Sequence, residues 1–129
     1  MKDPIGILIY GYNQEDSLQI RAALDRAVED SVFVISASEK EDWLIADILD
    51  QGPEDLYEDK EVKIVMFLAF SKEQVDAALS AFPSPGVTRP IFCGLTIKNM
   101  QWPLRHLIGH LKEEHKQWTQ RDQNPPGES

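Results

Sequence analysis

The chain reads as an α/β protein, a small three-layer sandwich in which four mostly parallel strands alternate with helices. Two observations predict this. Short apolar runs rich in β-branched residues occur four times, and each is followed by a segment with helical spacing. The first and third runs, Ile5 to Tyr10 and Val62 to Leu68, are apolar almost throughout, as strands covered on both faces are. A ferredoxin-like α+β sheet is the alternative if the helix near Trp43 is only an insertion, because the remaining order is then strand-helix-strand-strand-helix-strand.

The elements follow in order. After the first strand and Gly11-Tyr12, Asn13 is a candidate cap for a helix from Gln14 to about Asp30, with Ile20, Leu24, Ala27 and Val28 on one stripe. Val32 to Ile35 is the second strand. Ser38-Glu39-Lys40-Glu41 has the form of a capping box and predicts a helix through Trp43, Leu44, Ile45, Ile48 and Leu49, stopped by Gly52-Pro53. Val62 to Leu68, the most strand-like run, is expected at the centre of the sheet. Ser71-Lys72-Glu73-Gln74 is a second capping box, opening a short helix with Val75, Ala78, Leu79 and Phe82 on its buried side. Pro90 suits the start of an edge strand over Ile91, Phe92 and Cys93. The last helix begins near Trp102-Pro103 and runs to about Trp118.

Composition bounds the rest. With 129 residues, 42% hydrophobic and 27% charged, the sequence suits one domain. We place it at residues 1–118. Residues 119–129, TQRDQNPPGES, have nothing to bury and are expected to be a disordered tail. The single cysteine, Cys93, has no intramolecular disulfide partner, and the first apolar run is too short for a signal peptide. No run approaches the ~20 apolar residues of a membrane span. A cytoplasmic protein without membrane contact is the expectation. The net charge of −9 is concentrated between Glu39 and Glu61. Such a field repels phosphate backbones, which argues against nucleic acid as a partner.

Parallel sheets bind ligands beyond the carboxyl ends of their strands. Here those loops are Gly11 to Gln14, Ser36 to Ser38, Ala69 to Lys72 and Gly94 to Asn99. None carries the glycine pattern that lets backbone approach a pyrophosphate, and none ends in Gly-Lys-Ser or Gly-Lys-Thr. A phosphorelay receiver would need acidic residues after the first strand and an aspartate after the third. Tyr10-Gly11-Tyr12 and Ala69-Phe70-Ser71 stand there instead.

Thr96-Ile97-Lys98-Asn99-Met100-Gln101-Trp102, followed by Leu104 and a helix passing through Lys112-Glu113-Glu114, resembles the Thr-x-x-Asn-x-x-Trp signature of a small bacterial family of unknown function. The opening Ile7 to Tyr10 and the serine-led helix after the Val62 strand are similar to it as well, so the resemblance spans residues 5 to 116. It implies no activity, substrate or cofactor.

Candidate sites follow from residue chemistry. Thr96 and Asn99 can satisfy free amides at a helix start while Trp102 pins that helix to the sheet. Alternatively, Thr96, Lys98 and Asn99 join Tyr12 and Asn13 in a polar ligand pocket at the sheet's carboxyl end, with Lys98 as an anion contact. At about 100° per residue, Leu104, Leu107, Ile108, Leu111, His115 and Trp118 share one face of the last helix, and His106, His110 and Glu113 share the other. The histidine pair is four residues apart, which permits a divalent metal with Glu113 or Glu114, but a durable zinc site needs three or four ligands. Cys93 is expected to be a small buried hydrophobe, since no nearby cation is evident to lower its pKa. The overhang of the last helix suggests a homodimer contact at Leu111, His115 and Trp118. Without catalytic motifs, and with no cofactor required, the sequence leans to a non-enzymatic interaction or regulatory domain with an unidentified protein partner. A small-ligand or metal-binding protein is the alternative.

Overall fold

The computed structural model describes residues 4–51, 56–84 and 86–123, the backbone alone for 115–123. Strands and helices alternate as β1 (Ile5–Tyr10), α1 (Gln14–Val28), β2 (Val32–Ser36), α2 (Ile45–Gln51), β3 (Ile64–Leu68), α3 (Lys72–Ala81), β4 (Ile91–Gly94) and α4 (Leu104–Gln123). A single 3-10 turn, Asn99–Gln101, precedes α4. The strand order is β2-β1-β3-β4.

Helices cover both faces of this sheet, and strand alternation decides which side chain goes where. Ile5, Ile7, Ile9, Val65 and Phe67 face the layer of α1 and α3, where they meet Ile20, Leu24, Ala78 and Phe82. Leu8, Tyr10, Ile64, Met66 and Leu68 face α2 and α4 and meet Ile45, Ile48, Leu104, Leu107 and Leu111. Since α2 fills the second core, it is an integral element, and the ferredoxin-like alternative does not hold.

Two of the three strand pairs are parallel, as expected of a mostly parallel sheet, and the central pair is the exception. β1 is parallel to β2 and β3 is parallel to β4, but β1 and β3 run antiparallel, with Gly6 opposite Leu68 and Tyr10 opposite Ile64. The chain is thus two strand-helix-strand-helix units joined head to tail at β1 and β3. The helix in each unit supplies the crossover that adjacent parallel strands require. The connection from α2 to β3 is long enough to return the chain to either end of the sheet, and local pattern does not record which.

Local chemistry sets the helix ends. The Asp16 N–H donates to Asn13 Oδ1 at 2.8 Å, and Ser71 with Gln74 closes a reciprocal capping box. The second box read from the sequence, Ser38 to Glu41, does not form. Ser38 Oγ instead accepts from Glu58 N–H at 3.0 Å, and the Glu41 carboxylate accepts from the Tyr10 hydroxyl at 2.7 Å. Glu39 takes a left-handed φ of 62° in the turn this leaves, and α2 starts only at Ile45. Gly11 combines a φ of 91° with backbone so close that an added Cβ would lie 2.2 Å from Val62 O.

At the other end of the chain α4 continues to Gln123. Residues 119–123, placed in the unstructured tail by composition, are helical because nothing in Thr-Gln-Arg-Asp-Gln interrupts the backbone ladder before Pro125. The remaining tail, 124–129, lies outside the described residues, as does the Gly52-Pro53 stop.

Candidate functional site

The antiparallel junction separates residues that a parallel sheet would have gathered. Tyr12 and Asn13 follow the carboxyl end of β1, while Thr96, Lys98 and Asn99 follow that of β4. Since β4 is parallel to β3 and β3 opposes β1, the two groups lie at opposite ends of the sheet. The polar pocket expected from them is not assembled.

Each group has a structural occupation. Asn13 caps α1. Tyr12 is buried, and its hydroxyl donates to Thr88 O at 2.5 Å. Thr96 N–H donates to Asn99 Oδ1 at 2.8 Å, Asn99 N–H donates to Thr96 Oγ1 at 2.9 Å, and Asn99 Nδ2 donates to Gly94 O at 3.0 Å. Lys98 turns its ammonium towards the Trp102 ring at 6.0 Å. Trp102 itself is half-buried against the α2/α4 core, and its carbonyl accepts from Ile45 N–H at 2.9 Å. This segment fastens α2 and the start of α4 to each other.

His106 and His110 are exposed, as the helical angle implied, and both rings stand edge-on to Trp102 at centroid distances of 4.5 and 5.2 Å. His110 Nε2 lies 3.0 Å from Glu114 Oε1. Glu113, the third candidate ligand, is also exposed. Among the described residues no three metal-ligating side chains come together. Leu111, proposed as an interface residue, is buried in the chain's own core beside Leu104 and Leu107. The side chains of His115 and Trp118 lie outside the described residues.

Two tyrosines and the cysteine beside the sheet are held in their neutral forms. Burial raises the Tyr12 phenol above its ordinary value, with Asp16 adding to the effect, and burial followed by the Glu41 contact does the same for Tyr10. The Cys93 thiol is pushed up to about 12, chiefly by burial and secondarily by Glu114. A thiol so placed is a packing group rather than a nucleophile at neutral pH.

Three concave regions occur among the best-formed surfaces. One of ≈ 290 Å³ lies where β3 and β4 begin and includes Lys63, Arg89 and Lys112. Lys63 is committed there: its ammonium donates to Gly11 O at 2.9 Å, to Asp59 Oδ1 at 3.0 Å and to Lys60 O. Arg89 lies over the rings of Phe92 and Phe82, at 5.0 and 5.9 Å. The second, of ≈ 560 Å³, opens between β4 and α3 and is lined by Phe67, Phe70, Val75, Leu79, Phe92 and Leu95. The third, of ≈ 410 Å³, lies on the opposite face with Phe33, Ile35, Leu49 and Leu68, and shares Ala69 and Leu95 with the second. Ala69 holds a left-handed φ of 65° between them.

The β4/α3 cleft was not visible in the sequence. Its residues come from β3, α3, β4 and the turns that follow β3 and β4, and each one taken alone reads as ordinary core. The one available signal was the edge position of Ile91 to Cys93, which leaves the outer side of Phe92 without a neighbouring strand.

No curated protein and no solved structure matches the chain. Residues 63–117, which run from the start of β3 into α4 and so take in the 3-10 turn and the β4/α3 cleft, match the family model of a domain of unknown function, DUF3783.

Proposed function

We propose that the protein is a non-enzymatic interaction domain whose partner, another protein, docks along the β4 side of the sheet. The observation that carries this is the chemistry of the β4/α3 cleft: its walls are aliphatic and aromatic, and the one nucleophile in its lining, Cys93, is held as a neutral thiol. A concave apolar surface without convergent acid, base or metal ligands is suited to holding a side chain rather than transforming a substrate. A cytoplasmic setting belongs to the same proposal, because a lone thiol suits a reducing compartment.

A thermal-shift screen with divalent metals, nucleotides and small carboxylic acids tests it. A ligand that binds the native state stabilises by mass action, about 2.7 kcal/mol at a hundredfold excess over Kd. No saturable rise in Tm is expected from any of these. A saturable rise would favour a small-ligand or metal-binding protein and overturn the proposal.

A further inference from the structure

The concavity where β3 and β4 begin is assembled from three separate segments: Glu61 to Lys63, Thr88 to Ile91, and Lys112 of α4. The backbone around it is held by contacts already in place. The Tyr12 hydroxyl donates to Thr88 O at 2.5 Å, Ile91 N–H donates to Lys63 O at 2.8 Å, and the Lys63 ammonium lies over the Tyr12 ring at 5.5 Å. Arg89 is thus carried between two anchored residues. Its guanidinium rests on the Phe92 and Phe82 rings at 5.0 and 5.9 Å, a contact that places the group without using an N–H donor. Among the described residues neither Arg89 nor Lys112, both exposed, has a carboxylate partner or donates a side-chain hydrogen bond. The chain has 22 Asp and Glu against 13 Lys and Arg, so two unpaired cations in one concavity point to a carboxylate from outside.

We propose that Arg89 and Lys112 form a carboxylate-binding site that receives a Glu or Asp side chain from an acidic, partly apolar segment of the partner polypeptide. This rests on the interaction-domain reading and gives the partner its chemistry. The planar guanidinium fork takes both oxygens of a carboxylate, and the flexible Lys112 ammonium adds a point charge. Val62, Pro90 and Ile91 give apolar surface beside them for the neighbours of the acid. At ≈ 290 Å³ the concavity stands at the small end of ligand pockets, which suits one side chain. Because Thr88 and Ile91 are anchored before binding, little ordering of the backbone opposes it.

The charges lining the concavity select a monoanion carried on a peptide. Lys63 is neutralised by Asp59, 3.0 Å away, and Glu61 offsets one of the two remaining cations, so a single positive charge is left. One carboxylate restores neutrality. A phosphate group, with about two negative charges, would overshoot it in a chain that already carries −9. The wider acidic field is screened beyond about 8 Å at physiological salt, so the groups inside the concavity decide binding. A bidentate guanidinium–carboxylate pair is worth about ten- to a hundredfold in affinity, whereas binding at millimolar concentration takes about a thousandfold. A free acid therefore does not saturate the site, and the rest of the segment supplies what the pair alone does not.

The test uses the full chain, labelled with nitrogen-15, and a blocked heptapeptide alternating glutamate with valine. Saturable shifts are expected for the Arg89 Nε–H and for the backbone amides of Arg89, Ile91 and Lys112. The glutamine-for-glutamate peptide should bind at least about tenfold more weakly, and so should the lysine-for-glutamate peptide. Arg89→Gln should weaken the glutamate peptide at least about tenfold, and Arg89→Lys, which keeps the charge and loses the fork, by less; the amide spectrum of each variant reports its fold. Equal binding of the glutamine peptide, or unchanged affinity in Arg89→Gln, overturns the carboxylate site, as does no binding at millimolar peptide. Inorganic phosphate that saturates the Arg89 shifts more tightly than the peptide gives the site to a free anion and overturns the proposal. A wild-type dimer dissociated by Arg89→Gln would assign the concavity to a second copy and overturn it too. If the peptides fail while the small-ligand screen stays flat, the carboxylate site alone is rejected; a small carboxylic acid whose stabilisation Arg89→Gln abolishes rejects the interaction-domain reading itself.

Discussion

Thr96 and Asn99 hold each other's backbone, each side-chain oxygen accepting the other residue's N–H, at 2.8 and 2.9 Å. The arrangement is a capping box transferred to a 3-10 turn, and the third bond from Asn99 Nδ2 to Gly94 O ties it to the end of β4. Asn99 is buried, so its loss leaves amide and carbonyl groups without partners. Asn99→Ala should cost about 2 kcal/mol in urea denaturation. Asn99→Asp keeps the acceptor and loses the donor, and should fall between wild type and alanine.

Trp102 and Leu107 separate surface fastening from core packing. Leu107, on α4, is fully buried against the sheet, whereas Trp102 is half-buried and shares its ring with His106 and His110. Leu107→Ala should cost about 3 kcal/mol and Trp102→Ala about 1–2 kcal/mol. Denaturation midpoints of the two variants decide the order. A Trp102 variant as damaged as the leucine variant would mean that the indole carries core rather than edge.

Much of this architecture was legible in the residues, and the failures have physical causes. Asn13, Ser71 and Gln74 were found as caps because their partners lie three residues away, where local sequence records the bond. Ser38 and Glu41 show the same pattern, yet Glu58 N–H and the Tyr10 hydroxyl, both distant in sequence, claim their oxygens. Leu104, Leu107 and Leu111 declared their buried face by period. The direction of β3 relative to β1 left no such trace, and with it went the polar pocket expected from Tyr12, Asn13, Thr96, Lys98 and Asn99.

For the histidine pair, replacing His106 and His110 together with glutamine should change stability by no more than about 0.5 kcal/mol, as exposed substitutions usually do. The His110 to Glu114 contact joins two half-exposed side chains and adds little. Elemental analysis of purified protein is the companion measurement. Stoichiometric zinc that disappears in the double variant would contradict the assignment of these rings to Trp102.

Cys93 gives a pH dependence with a definite sign. Its thiol is pushed up to about 12 in the fold, so between about 9 and about 12 the unfolded chain has released a proton that the native chain still holds. Stability is therefore fully present below the unfolded value and falls as pH rises through that window. Native protein at pH 8 should react with a disulfide reagent far more slowly than the same protein in urea, and Cys93→Ala should lose this thiol's share of the alkaline destabilisation. Rapid native labelling would contradict a thiol held in its neutral form by the fold.

The antiparallel junction of β1 and β3 decides which residues can share a site, and nuclear Overhauser effects between backbone protons test it most directly. Ala37 N–H donates to Ile9 O, which turns the odd residues of β1 towards β2 and leaves Gly6, Leu8 and Tyr10 hydrogen-bonded to Leu68, Met66 and Ile64. Ile7 with Phe67 and Ile9 with Val65 are then the non-hydrogen-bonded pairs, where Cα atoms approach to about 4.5 Å and their protons face each other. Strong Hα to Hα effects are predicted for those two pairs. Their absence, with effects that instead follow a parallel register between β1 and β3, would return Tyr12 and Asn99 to the same end of the sheet and contradict the account.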